Sequence, residues 1–156
     1  MLGQKLLVGL FVLALSVSWV KAEGTDPRIE QAQRLFERYV ALEHAFDPAI
    51  ADLYSDNALI QTTREYWFGQ KRIMVIPVEK YKWMMRRMTP LAKARGDKSR
   101  YSDVTYTLEG ENVRIKCIRY SEMKKYFSPF ELLVGPAEDG RWLIFEEISE
   151  SPRLVP

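Results

Sequence analysis

Two residue types that carry much of enzyme chemistry are nearly missing from this chain. Its 156 residues include one cysteine, Cys117, and one histidine, His44. A single cysteine permits no internal disulfide, so the fold must be held by its core even in an oxidising compartment. A zinc site needs several His or Cys ligands, which the chain lacks. The acids show no calcium-loop spacing, and there is neither a glycine-rich phosphate loop nor a Gly-x-Ser-x-Gly elbow. No metal and no cofactor are expected. Cys117 alternates with Val113 and Ile115 in "VRIKCIRY", far in sequence from His44, and reads as a buried packing thiol rather than a nucleophile. His44, standing alone near a helix end, reads more simply as a capping or packing residue than as a base.

Excess charge is also scarce. The formal net charge is +2, and its two surplus cations, Lys5 and Lys21, lie in the first 22 residues. Those residues have the layout of a secretory signal: a short start with Lys5, an apolar stretch from Leu6 to Val20, and a small residue, Ala22, ahead of Glu23. The stretch is shorter than the ~20 residues that cross a bilayer comfortably. Cleavage after Ala22 is expected, giving a periplasmic or secreted protein that contacts a membrane only if the signal is retained. Residues 23–156 then hold 21 basic and 21 acidic side chains, enough chain for one domain and no surplus for binding nucleic acid.

The remaining pattern alternates helices and strands. Asp26-Pro27 is an Asx cap followed by proline at the first helical position, and Ile29, Ala32, Leu35, Phe36, Tyr39, Val40 and Glu43 then recur at helical spacing to about Ala45. Asp47-Pro48 opens a second, short helix. Two strands follow, "ALIQTTREYW" and "KRIMVI", and Ile76-Pro77 starts a third helix that Pro90 is expected to kink or end. The last third is a meander, its hairpins marked by Glu109-Gly110-Glu111-Asn112 and Ala137-Glu138-Asp139-Gly140, with connections too short for parallel crossovers.

This order predicts an α+β domain with its helices on one face of the sheet. Together with "LYSDNALI" leaving the second helix, "RYSEMKKYFSP" followed by "LLVG", and the final "GRWLIFEEIS", it resembles the NTF2-like superfamily, which includes ketosteroid isomerase and SnoaL-like cyclases. The resemblance covers Ile29 to Ser151. It implies a cone of three helices packed on a curved, mostly antiparallel mixed sheet, and in its enzymes a general base set against a tyrosine or a protonated acid. These marks belong to the fold, so function must be argued from the site.

Candidate site residues come from strand alternation. In the last strand Trp142, Ile144, Glu146 and Ile148 share one face, and Leu143, Phe145, Glu147 and Ser149 the other. The face with bulky Trp142 is taken as the concave one, making Glu146 the inward carboxylate. A buried carboxylate needs a partner. Arg119, in phase with Cys117 and Ile115, is expected to pair with it, and Asp103, beside Tyr101 on the preceding strand, to join them. Glu146, Arg119, Asp103, Trp142 and Tyr101 are thus the expected ligand-binding set, with a structural salt bridge as the plainer alternative. Tyrosines 39, 54, 66, 81, 101, 120 and 126 could supply donors, but no spacing selects a catalytic pair.

The basic run from Lys80 to Arg100 reads as a solvated helix face, and Met84, Met85 and Met88 as core. Leu143 and Phe145 on the opposite sheet face suggest a homodimer. The function expected is binding of a small, largely apolar ligand. The rivals are an isomerase or lyase working by proton transfer, and a non-catalytic module of an envelope assembly.

Overall fold

The computed structural model describes residues 25–154, and side chains as far as Ser151. The signal assigned to residues 1–22 lies outside the described residues. Helix α1 spans Pro27–Ala45, a 3-10 helix Pro48–Leu53, and helix α2 Val78–Arg95. The strands are β1 Tyr54–Tyr66, β2 Lys71–Ile76, β3 Ser99–Glu109, β4 Asn112–Ser121, β5 Tyr126–Pro136 and β6 Trp142–Leu154.

Local chemistry sets the helix ends. The Asp26 side chain accepts the Arg28 backbone N–H at 2.9 Å, and Asp47 accepts that of Ala49 at 2.8 Å, so both Asp-Pro openings cap as expected. Pro90 does not end α2, which continues to Arg95 and stops at Gly96, whose left-handed φ of 62° favours glycine. Beside the proline, the Thr89 hydroxyl donates to the Met85 carbonyl at 2.7 Å.

The six strands form one sheet in the order β2-β1-β6-β5-β4-β3. Every neighbouring pair is antiparallel except β1 and β6. One row of Cα partners crosses all six strands: Ile76, Ile60, Glu147, Leu132, Ile115 and Tyr106. It faces α1, whose Ala32, Leu35, Phe36 and Tyr39 are buried with Ile60, Val113, Ile115, Phe130, Leu132, Val134 and Ile144. Helix α2 has no buried residue and lays only Val78, Tyr81 and Met85 against this core.

The register shifts in several places, including twice along the β1–β6 pair, and two of these bulges bear on the expected site. On β6, Ile144 pairs with Val134 and Glu146 with Leu133, so Phe145 is an extra residue. On β3, Ser102 pairs with Ile118 and Thr105 with Lys116, leaving one residue over, and Asp103 there has a left-handed φ of 54°. Aspartate tolerates that conformation better than most side chains. Strand β4 has no bulge, and Val113, Ile115, Cys117 and Arg119 keep a single phase.

Candidate site in the cone

The β6 bulge decides which glutamate is inside. Trp142 and Ile144 face the core as expected, but the extra residue turns Glu147 inward and Glu146 outward. Glu147 is 3 % exposed. The Tyr54 hydroxyl donates to its Oε2, and the Tyr81 hydroxyl to its Oε1 at 2.9 Å. Tyr54 is the first residue of β1 and Tyr81 sits on the inner side of α2, so three elements converge on one carboxylate. Burial pushes the Glu147 carboxyl above its ordinary range; the two phenols and the Arg119 charge pull the other way. Burial also holds the phenols of Tyr54 and Tyr81 well above their usual range, with the Glu147 charge adding to it, so they remain neutral donors.

Glu146, expected inside, instead pairs across the outer face with Arg114 at 3.3 Å, and Arg114 also holds Glu109 at 3.0 Å. The Glu146–Arg119 pair therefore does not form. Asp103 is corrected too: the β3 bulge leaves it exposed, within 3.3 Å of Ser102 Oγ and away from Arg119. Trp142 packs partly buried against the core, but at the opposite end of β5 and β6 from Arg119, roughly 25 Å of strand away.

Arg119 and Tyr101 are brought together as Cα partners across β3 and β4. The Arg119 guanidinium lies 5.0 Å from the centre of the Phe130 ring. The Tyr101 hydroxyl donates to Glu43 Oε2 at 3.0 Å, and burial raises the Glu43 pKa against the pull of that contact. Tyr39 stands between the two carboxylates, stacked on Phe36 and edge-on to Tyr101. The inner face thus carries Glu147 and Glu43, each bonded to tyrosine, with Arg119 influencing both.

Glu147 and its two tyrosines were missing from the expected set because the bulge has no local sequence signature. Glu43 did leave a signal, since it falls on the apolar stripe of α1. Cys117 is buried as expected, its thiol pushed up to about 12 by burial. His44 is exposed on the last turn of α1 and donates through Nε2 to the Ser99 carbonyl at 2.7 Å. Among the described residues no three His, Cys, Asp or Glu side chains gather in a metal-binding arrangement.

Two openings adjoin near Arg119. A slot of about 220 Å³ between α1 and α2 is lined mainly by Tyr39, Leu42, Phe46, Ile50, Met85 and Met88. A more polar cleft of about 220 Å³ holds Arg119, Ser99, Ser121, Lys124 and Tyr126. Glu43 and Asp97 line both, so the two adjoin.

A curved six-stranded sheet with one parallel pair, wrapped around α1 and α2, is matched by solved structures. An NTF2-like protein of unknown function from Pseudomonas putida aligns over 79 % of this chain and 85 % of its own, with TM-score 0.60 and 12 % identity. This is the NTF2-like fold. A proposed ketosteroid isomerase from Shewanella frigidimarina covers 76 % of this chain and 94 % of its own at TM-score 0.56 and 18 % identity. A proposed dehydratase of the NTF2-like family from Streptomyces avermitilis covers 81 % and 96 % at TM-score 0.57 and 12 % identity. No family sequence model matches the chain, and no curated protein matches it in sequence. At these identities the NTF2-like likeness is one of backbone architecture.

Proposed function

We propose that this NTF2-like cone binds a small, largely apolar molecule, with its polar end toward Arg119. The observation that carries this reading is the apolar slot between α1 and α2, which runs into a polar cleft at Glu43 and Asp97. Slots of this kind, mostly apolar with a few placed polar groups, are where small ligands bind. Native mass spectrometry of gently purified protein, compared with the denatured sample, tests it. A reproducible small molecule lost on denaturation is the expected result, and an empty protein that no ligand panel stabilises thermally counts against it. Export through residues 1–22 is part of the same proposal; an intact mass beginning at Glu23 is expected, and one retaining Met1 overturns it.

A second reading is proton transfer, favoured by one observation: a carboxyl with a raised pKa set between two neutral phenols. The NTF2-like neighbours proposed to be an isomerase and a dehydratase lend the same class some support. Glu147 would be the base, and Glu147→Gln would abolish turnover while the fold persists. Because Glu147 is almost fully enclosed, substrate would have to displace Tyr54 or Tyr81 to reach it, which places this reading second.

A further inference from the structure

Six arginines among the described residues hold a carboxylate, several of them at exposed positions. Arg28 holds Asp26, Arg86 holds Asp52, Arg100 holds Glu122, and Arg141 holds Asp139. On the outer face of β4, Arg114 holds two carboxylates. Arg119, on the inner face of the same strand, is partly buried and has neither an ion pair nor a hydrogen bond among the described residues. Its guanidinium has the Phe130 ring beneath it and a cleft beside it. Its nitrogens are not among the buried unpaired atoms and so face the cleft, where an acceptor on a ligand would take the place of water.

A second, independent orphan lies next to it. Ser128, the Cα partner of Arg119 on β5, is 5 % exposed, and its Oγ is buried without a hydrogen-bond partner among the described residues. Buried hydroxyls are nearly always paired. Ser128 lies outside the residues that line the cleft, so it backs Arg119 rather than facing a ligand; Arg119, a free guanidinium in the cleft that adjoins the apolar slot, describes a site for something that accepts hydrogen bonds and carries negative charge.

The surrounding charges narrow the class. Asp97 and Glu43 border the cleft and offset Arg119 and Lys124, so its charges sum to about zero and one added negative charge is accommodated with less repulsion from the two acids than the two of a phosphate monoester. A planar carboxylate matches the guanidinium fork in two parallel hydrogen bonds. The slot that continues from the cleft, with Leu42, Phe46, Ile50, Met85 and Met88, accepts an aliphatic chain or a ring.

We propose that the ligand is an apolar monocarboxylate, its carboxylate held by Arg119 and its body lying between α1 and α2. This rests on the small-molecule reading above, and the test separates the two. Octanoate, octan-1-ol and octylamine share one body and differ only at the head. Calorimetric titration of the full chain is expected to show octanoate binding at least about tenfold more tightly than octanol, as a charge-assisted pair implies. Arg119→Met should erase that preference while leaving octanol affinity within about twofold. Arg119→Lys, a milder change that keeps the charge but not the fork and guards against misfolding of the methionine variant, should weaken octanoate alone by a few-fold. Equal affinity for octanoate and octanol overturns the carboxylate assignment and leaves the slot standing. A preference that survives in Arg119→Met also overturns it. Failure of all three ligands to bind sinks the small-molecule reading itself.

Discussion

Glu146 and Glu147 are consecutive, chemically identical and meet opposite fates. On the outer face Glu146 shares Arg114 with Glu109 in a partly hydrated pair. On the inner face Glu147 is enclosed, with two phenols as its hydrogen-bond donors and Arg119 acting only at a distance. The outer arrangement neutralises a charge with a charge, at little net gain where water still reaches it. The inner one holds a charge with neutral donors, each such bond contributing about 1.5–3 kcal/mol against a desolvation cost of several. The difference teaches that the inner carboxylate is held by burial and neutral donors, which raise its pKa on balance, whereas the outer one is clamped by a cation.

Removing each carboxylate gives the sharpest contrast. Glu147→Ala strands two buried hydroxyls and opens a cavity, and should lower unfolding free energy by about 3 kcal/mol or more, read from urea titration. Glu146→Ala should cost within about 1 kcal/mol. Equal losses would erase the distinction between the faces. Next in size, Tyr54→Phe or Tyr81→Phe removes one donor and should cost about 1–2 kcal/mol, with the Glu147 carboxyl, followed by infrared spectroscopy, moving further up.

The pH response sharpens the comparison from another side. Glu147 has its folded pKa raised above the ordinary 4.5, so the folded state binds this proton more tightly than the unfolded one. Its contribution is therefore fullest below the ordinary glutamate range and is lost as pH rises through the raised folded value. Glu147→Gln should flatten this part of the stability curve, so that the variant gains on the wild type as pH increases. The slope that remains includes Glu43, whose pKa is raised in the same direction.

The smallest expected effect concerns the β3 bulge. Asp103→Gly relieves a left-handed φ and should stabilise the protein by up to about 1 kcal/mol, while Asp103→Val should cost about 1–2. A neutral valine would mean that the bulge is not held in that conformation in solution.

These two bulges also mark where the sequence stops being readable. The Asp-Pro caps, the apolar stripe of α1 and the hairpin turns are local signals, and the element order follows from them. Arg119 was found in the correct phase because β4 alternates without interruption from Val113 to Ser121. Asp103 and Glu146 were misplaced by one extra residue each, since a bulge is set by the partner strand and leaves no mark in its own. The same limit applies to Pro90, whose helix continues once its neighbours supply the context. Tyr54 and Tyr81 were visible only as members of a pool of tyrosines, because what singles them out is a contact between positions 66 or more residues from Glu147.

Helix α2, whose residues are at most partly buried but which sends Tyr81 to Glu147, has a bearing on how firmly the slot is walled. Its detachment exposes little apolar surface, so its amides should exchange with deuterated solvent through a local opening well below the global unfolding free energy, whereas those of α1 should wait for the whole domain. Exchange of the α2 amides as slow as that of α1 would instead make both walls of the slot equally fixed, with its width set by the resting gap.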